Sequence, residues 1–387
     1  MLILNSKESL ELMAQEKPKS LINKKALYPI GLIALMYLWW VIAIKPNDKI
    51  IQASRYAHQG HFQYKEKTSI FSYFTSEDRH TLKGFTMGSI SYQIHYFDEQ
   101  DRNLKPETDS LLDEFLKTFS TYEESSLVSQ FNKNHSSPIN EWWVNLHNRA
   151  SKVHEETNGA FDPTIKPLLS YWGFGSSPED FNPNDSIIDS LKNLVDYKSI
   201  KVKDDSIFAL KPWMQLDYGA IAKGYALDLV ADLLSKKGIK SYMIEIGGEL
   251  SVGANKPNGE QWKLAIEDPK ENARTPLILL SIEHKSMATS GNYRNYRVDP
   301  NTGEKYQHTI NPNDGRPVRN NLLSISVLHD KCLEADAYAT GLMVMGTENA
   351  IAFAQEHKLE ICLIYSDEKG NLQYYYSPEF KKTLNDE

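Results

Sequence analysis

The stretch "QLDYGAIAKGYALDLV", Gln215 to Val230, changes within a few residues from a glycine-rich turn to a helical pattern. Apolar residues recur at i, i+4 spacing from its middle onward, which predicts an amphipathic helix. They form two adjacent rows, Ile221, Tyr225, Leu229, Leu233 and Ala222, Ala226, Val230, Leu234. Lys236 and Lys237 stand before Gly238, an order typical of a helix C-terminus. A helix that contains both rows and ends before Gly238 is therefore predicted.

The start of this helix combines small residues with Asp217 at the predicted N-cap and Lys223 six positions later. Exposed N–H groups and the positive end of the helix dipole make such a start suitable for an anion. A capped helix that packs tightly on a sheet is an alternative interpretation of the same residues. The segment is not a Walker A loop, because the required order of glycines, Lys and Ser or Thr is absent.

The flanking segments predict an α+β fold, since strands and helices alternate irregularly along the chain. Strand-like patterns occur in "FTMGSISYQIHYF", "SYMIEIG", "WKLAIED", "ISVLH" and "EICLIYS", and a helical pattern occurs in "TDSLLDEFLKTFSTYE". The glycine pair of "EIGGELSVG" predicts a hairpin. It does not match the dinucleotide fingerprint GxGxxG, and a strand follows it instead of a helix.

The N-terminal part contains a candidate membrane anchor. Residues Ala26 to Ile44 form a run of 19 residues without a charge, about the length needed to cross a bilayer as a helix. A buried core helix or a cleavable signal peptide would also be apolar, but the 25-residue leader and the lack of an A-x-A site favour an uncleaved anchor. Lysines before the run favour a cytoplasmic N-terminus and an exported C-terminal part, in the inner membrane. The predicted organisation is a cytoplasmic segment 1–25, an anchor 26–44, a linker or extension 45–80 and a catalytic domain 81–387.

The composition is that of a globular protein. Of its 387 residues 41% are hydrophobic and 24% charged, and the net charge of −8 argues against a non-specific nucleic-acid binder. The two cysteines, Cys332 and Cys362, are not in a zinc-type spacing, and whether they pair is left open.

Three further segments carry groups suited to chemistry. Asp336 and Thr340 are i, i+4 partners on a predicted helix, and two oxygen ligands suit a hard cation such as Mg²⁺; an exposed Asp and a Thr bonded back to its own helix are the alternative. His308 lies in a strand-like run before a turn and is a candidate general acid or base. Thr289, Ser290 and Gly291 form a predicted turn able to hold a phosphate or present a nucleophile, although the GxSxG context of a hydrolase is absent.

The order of these segments resembles one family, the ApbE-like flavin transferases, or FAD:protein FMN transferases. The similarity runs from about Phe85 to Gly346. Its blocks are "TMGSISY", "STYEESSLVSQFN", "GAFDPTIKPLLSYWGFG", "LDYGAIAKGYALD", "IGGEL", "ATSGNYRNY", "HTINPNDGRP" and "ADAYATGLMVMG". Eight blocks in one order are far more specific than any one of them.

The resemblance implies a large mixed α/β catalytic domain that binds FAD as its substrate. The residues matched to FAD contacts are Met87, Tyr122, Ala160, Phe161, Asp162, Asp217 and Lys223, to which Thr289 and Ser290 add the predicted phosphate-holding turn. A carbonyl of Ala220, with Asp336 and Thr340, is implied to hold Mg²⁺ at the FAD pyrophosphate, and His308 matches the catalytic histidine.

The implied reaction transfers FMN to a Ser or Thr hydroxyl of an exported flavoprotein subunit and releases AMP. An FAD pyrophosphatase, in which water takes the place of the hydroxyl, would need the same site. A flavin-binding protein without catalysis is a third interpretation, and the joint presence of Asp336, Thr340 and His308 argues against it.

Overall fold

The computed structural model describes residues 80–174, 183–269, 276–292, 296–298 and 303–385. The predicted cytoplasmic segment and anchor, and the linker up to residue 79, lie outside these ranges. Within them, no helix combines the length and the apolar composition that crossing a bilayer requires.

Helices and strands alternate irregularly in the described residues. The helices are α1 (Lys105–Phe119), α2 (Leu127–Asn134), α3 (Glu141–Glu156), α4 (Lys166–Tyr171), α5 (Asp185–Lys192), α6 (Ala222–Lys236), α7 (Cys332–Met345), α8 (Thr347–His357) and α9 (Pro378–Lys381). The strands are β1 (His80–Thr86), β2 (Ile90–Tyr96), β3 (Ser136–Pro138), β4 (Ile200–Lys203), β5 (Ser206–Ala209), β6 (Tyr242–Ile246), β7 (Glu249–Val252), β8 (Trp262–Glu267), β9 (Pro276–Ile282), β10 (Lys285–Gly291), β11 (Tyr296–Val298), β12 (Lys305–Gln307), β13 (Leu322–His329), β14 (Glu360–Ser366) and β15 (Leu372–Tyr376).

The main sheet has eight strands in the order β1-β2-β6-β7-β10-β13-β14-β15, and every neighbouring pair is antiparallel. The predicted hairpin at the glycine pair is confirmed, since β6 and β7 meet at Gly247 and Gly248, both with positive φ. The prediction of one strand in "FTMGSISYQIHYF" is wrong. The chain reverses at Met87 and Gly88, which also have positive φ, so the segment forms the hairpin β1–β2.

Each face of the main sheet covers a separate apolar core, because successive side chains of a strand point to opposite faces. Ile244 and Ile246 of β6 belong to the larger core, on the face covered by the helices α1, α3, α6 and α7. Met243 of the same strand belongs to a second core, which contains the hairpin β8–β9 and Phe380 of α9. The sheet therefore lies between a helical layer and a smaller β-layer.

A third apolar cluster joins two segments that are far apart in sequence. Leu168, Trp172 and Ile188 pack with Tyr306 and Ile310. The indole N–H of Trp172 also donates to the carbonyl of Gly315 at 2.7 Å. The segment around α4 is thereby held against the segment that contains His308.

Candidate active site

The start of α6 differs from the prediction at its cap. The residue at the N-cap is Ile221, without a side-chain cap, and not Asp217. A turn precedes the helix, because the N–H groups of Ile221 and Ala222 donate to the carbonyl of Tyr218 at 3.0 and 2.8 Å. The Oδ1 of Asp217 accepts the N–H of Gly219 at 2.8 Å and so stabilises this turn. The predicted helix end is confirmed, with Lys236 as the last residue and Gly238 at φ +81°.

Gly224 allows α6 to approach α7 closely. A Cβ atom at this position would lie 2.3 Å from the carbonyl oxygen of Cys332, which is closer than any side chain permits. Gly224 is the third residue of α6, so its N–H is one of the first N–H groups of the helix, which find no acceptor within the helix itself. Here it donates to Oδ2 of Asp336 at 3.1 Å. Asp336 of α7 therefore caps the start of α6, the helix end that follows Ala220 in the sequence.

Lys223, Glu249 and Asp336 form a partly enclosed charge cluster. The Nζ of Lys223 lies 2.8 Å from Oε1 of Glu249 and 3.5 Å from Oδ1 of Asp336. Both carboxylates are buried. Burial alone would lower the pKa of the Lys223 ammonium, but the carboxylates of Asp336 and Glu249 outweigh this effect and raise the pKa above its ordinary value. Lys223 is therefore a permanent cation at physiological pH.

Asp228, one turn beyond Gly224 on α6, caps α7 from outside that helix. Its two carboxylate oxygens accept the N–H groups of Cys332 at 2.9 Å and of Leu333 at 3.0 Å. These are among the N–H groups that a helix cannot satisfy internally. Burial raises the pKa of the Asp228 carboxyl to about 6, against the opposing effect of the two backbone hydrogen bonds.

This raised pKa predicts a pH-dependent stability. Between about pH 4 and pH 6 the folded chain binds a proton at Asp228 that the unfolded chain has released, so stability falls as the pH rises through this window. Replacing Asp228 by Asn removes the titration. Between pH 4.5 and pH 6.5 the free energy of unfolding of the wild type should fall by roughly 2 kcal/mol more than that of Asp228→Asn. Urea unfolding at both pH values measures this shift; parallel pH dependences would contradict it.

Thr340 and Ser290 meet where α7 packs on β10. Their hydroxyl oxygens lie 3.3 Å apart. The predicted turn at Thr289 and Ser290 is wrong, because both residues belong to strand β10. Strand alternation separates them. Ser290 faces α7, whereas the hydroxyl of Thr289 is bonded to Ser326 on β13 at 2.8 Å.

His308 directly follows the short strand β12. Its ring packs edge-on against Phe174, with ring centres 6.3 Å apart. The hydroxyl of the next residue, Thr309, donates to Oδ1 of Asn292 at 2.7 Å. Asn292 lies two residues beyond Ser290. One path of contacts therefore leads from Thr340 through Ser290 and Asn292 to the segment of His308.

The segment Ala160 to Asp162 is buried beside α7. A Cβ at Gly341, the residue after Thr340, would lie 3.3 Å from the Cβ of Phe161. The carboxylate of Asp162 accepts the backbone N–H of Thr164 at 2.7 Å and of Tyr197 at 3.2 Å. The side chain of Asp162 therefore binds the protein's own backbone. The backbone groups of this segment, rather than this side chain, can line a pocket. The N–H of Asp217 donates to the carbonyl of Pro163 at 2.8 Å, so this segment also adjoins the start of α6.

Met87 and Tyr122 lie on turns at the periphery of this region. Met87 is half-buried between β1 and β2, and the N–H of Gly247 donates to the carbonyl of Ser91 in the same end of the sheet. Tyr122 is 63% exposed between α1 and α2. Helix α2 is tied to the residue before Asp217, since the amide of Asn132 bonds both backbone groups of Leu216.

The predicted metal ligands Asp336, Thr340 and Ala220 offer groups that suit a hard cation. They are a carboxylate, a hydroxyl and a backbone carbonyl, all oxygen donors of the kind that Mg²⁺ binds together with waters and substrate phosphates. Across the described residues, no cluster of three or more His, Cys, Asp or Glu side chains could hold a metal ion. Both cysteines are buried and free.

Sequence reasoning did not identify Glu249 or Asn292 as site residues. Glu249 was visible only as the residue after a hairpin's glycine pair, and its contact with Lys223 spans 26 positions. Asn292 belongs to the block "ATSGNYRNY", but its spacing carries no signal for a ligand.

Comparison with known proteins identifies the class of protein to which this chain is similar. A relative from Vibrio cholerae, named FAD:protein FMN transferase, is 34% identical over 78% of this chain and 92% of its own length. One from Salmonella typhimurium with the same name is 31% identical over 78% of this chain and 89% of its own. Among solved structures, the flavin transferase ApbE of V. cholerae has a TM-score of 0.71 at 32% identity and covers 79% of this chain and 99% of its own. The flavinyl transferase ApbE of Pseudomonas stutzeri has a TM-score of 0.71 at 31% identity and covers 79% and 96%.

The class that these relatives define is the flavin transferases. A sequence model of the ApbE family matches residues 87–363. The chain belongs to the ApbE family, which confirms the resemblance and its mixed α/β fold.

Proposed function

We propose that the protein transfers FMN from FAD to a Ser or Thr hydroxyl of a target protein, with Mg²⁺ bound at α7. The hydroxyl oxygen forms a bond to the FMN-side phosphorus, the bond from that phosphorus to the bridging oxygen breaks, and AMP leaves. The observation that carries this proposal is the contact of Lys223 with Asp336, which shares helix α7 with Thr340, in a member of the ApbE family.

Positive charge is what phosphoryl transfer requires most, since negative charge is spread over the phosphate oxygens in the transition state. Lys223 supplies a fixed cation, because its paired carboxylates keep it protonated. Asp336, Thr340 and the carbonyl of Ala220 would hold Mg²⁺. When bound, this ion neutralises charge on the pyrophosphate.

The acceptor hydroxyl must lose its proton as the new bond forms. His308 is the proposed base, and Phe174 restrains its ring on one side. The links from Asn292 to Thr309 and from Ser290 to Thr340 support this role, because they connect the histidine segment to the proposed metal site. Ala160 to Asp162, Asp217, Met87 and Tyr122 are proposed to contact FAD.

We further propose that the apolar run from residue 26 to 44 anchors the protein in the inner membrane, with the catalytic domain exported. Its targets would then be exported flavoprotein subunits. The length and flanking charges of this run support the proposal. An alkaline phosphatase fused after residue 80 should be active in cells; an inactive fusion would contradict the proposed orientation.

The reaction is tested by incubating the full chain with FAD, Mg²⁺ and an acceptor peptide in which Asp stands two positions before the Thr and Gly-Ala-Thr follows it. We expect a mass gain of one FMN unit on the acceptor, with one AMP released, and no gain in EDTA. FAD converted to free FMN and AMP without labelling would identify a pyrophosphatase. FAD that stays bound and intact would identify a flavin-binding protein.

A further inference from the structure

The side-chain amide of Asn292 is buried, and the fold uses only one of its two polar atoms. It follows strand β10 and is 2% exposed. Its backbone N–H donates to the carbonyl of Leu323 at 3.1 Å, and its Oδ1 accepts the hydroxyl of Thr309 at 2.7 Å. Its Nδ2 has no hydrogen-bond partner within the described part of the chain.

Such a donor is costly in a folded protein, because burial removes its hydrogen bonds to water and nothing replaces them. Two other asparagines show what a structural amide looks like in this chain. Asn132 bonds both backbone groups of Leu216, and Asn320 bonds the carbonyl of Met343 and the N–H of Leu322. Both polar atoms of each are satisfied. Asn292 differs from them in keeping one hydrogen-bonding group available.

The position of Asn292 indicates which ligand this group meets. It lies two residues beyond Ser290, which contacts Thr340, and its amide is bonded to Thr309, the neighbour of His308. Asn292 therefore stands between the proposed metal site and the proposed base. In the proposed reaction the substrate group between those two sites is the pyrophosphate of FAD, an acceptor for N–H donors.

We propose that Nδ2 of Asn292 donates a hydrogen bond to a phosphate oxygen of FAD. This inference rests on the proposed function and adds a substrate-binding residue to it. An amide suits the task because it donates without a charge and without titrating, while its Oδ1 stays fixed by Thr309. Hydrogen bonds to charged groups are the stronger ones, so losing this one should weaken FAD binding roughly tenfold or more.

Three variants of the full chain separate this role from a structural one. Asn292→Leu keeps the approximate shape and removes both polar atoms. Asn292→Asp keeps an acceptor for Thr309 and removes the donor. Thr309→Val is the matched control, since it breaks the internal hydrogen bond and leaves the donor of Asn292 in place. The Kd for FAD is measured from flavin fluorescence without an acceptor protein, and the Tm of each variant reports its fold.

We expect Asn292→Leu and Asn292→Asp to raise the Kd for FAD roughly tenfold or more, and Thr309→Val to raise it clearly less, because the donor remains although its amide is held less firmly. If Asn292→Leu does not fold, Asn292→Asp decides. Wild-type affinity in the folded Asn292 variants would overturn the inference and leave the proposed function intact. An equal loss in Thr309→Val would make Asn292 a positioning residue for the His308 segment and overturn its donor role. A wild-type chain that does not bind FAD would instead refute the proposed function.

Discussion

Asp336→Ala is expected to reduce flavin transfer by at least roughly 100-fold, the loss typical of removing one preorganised charge-stabilising group. The carboxylate contacts the Lys223 ammonium and accepts the N–H of Gly224. Its loss removes the only side-chain carboxylate of the proposed Mg²⁺ ligand set, and it leaves Lys223 with Glu249 alone. The transfer rate is measured at increasing Mg²⁺, with FAD binding measured separately. The variant should not regain the wild-type rate at any Mg²⁺ concentration.

Glu334→Gln is the matched control for this substitution. Glu334 is also a buried carboxylate of α7, but it pairs with Arg149 of α3 at 3.1 Å and with Lys152 at 3.6 Å. Its replacement should lower the Tm and leave the Mg²⁺ dependence of transfer unchanged. Asp336→Ala with wild-type turnover and wild-type Mg²⁺ dependence would show that the metal site has been assigned to the wrong residue.

Local features of the fold were predictable because their causes lie within a few residues. The two apolar rows and the Lys-Lys-Gly ending define α6 without any tertiary information. The Gly pair likewise defines the hairpin β6–β7, since positive φ values are needed where the strands meet. The prediction failed for the segment around Met87, where two short strands follow each other closely. The residues alternate like a single strand, and only the reversal of the chain in the structure shows that there are two strands.

The contacts that explain why a given residue stands at a given position were harder to predict, because they involve partners that are distant in the sequence. The small residues at the start of α6 suggested room for an anion, yet the neighbour of Gly224 is the carbonyl of Cys332, 108 positions away. Thr289 and Ser290 were predicted as one turn, but both belong to strand β10, where alternation points them to opposite faces of the sheet. Such contacts follow from strand order and helix packing, which a single sequence does not specify. The placement of Asp336 and Thr340 one turn apart was predictable because one helix contains both.

His308→Ala is expected to lower the rate of flavin transfer by roughly 10²- to 10⁴-fold, the range that general-base catalysis contributes, while the Kd for FAD changes little. The ring of His308 packs against Phe174, directly after strand β12. The charge cluster around Lys223 is formed by residues of α6, β7 and α7, so the substitution leaves its ion pairs in place. Added imidazole should restore part of the rate, because a small base can enter the space left by the side chain.

His357→Ala, at the end of α8 where the ring stacks on Phe353, is the matched control and should keep the wild-type rate. Full transfer by His308→Ala, with or without imidazole, would mean that another group accepts the proton. A lost rate accompanied by lost FAD binding would instead make His308 a substrate-binding residue.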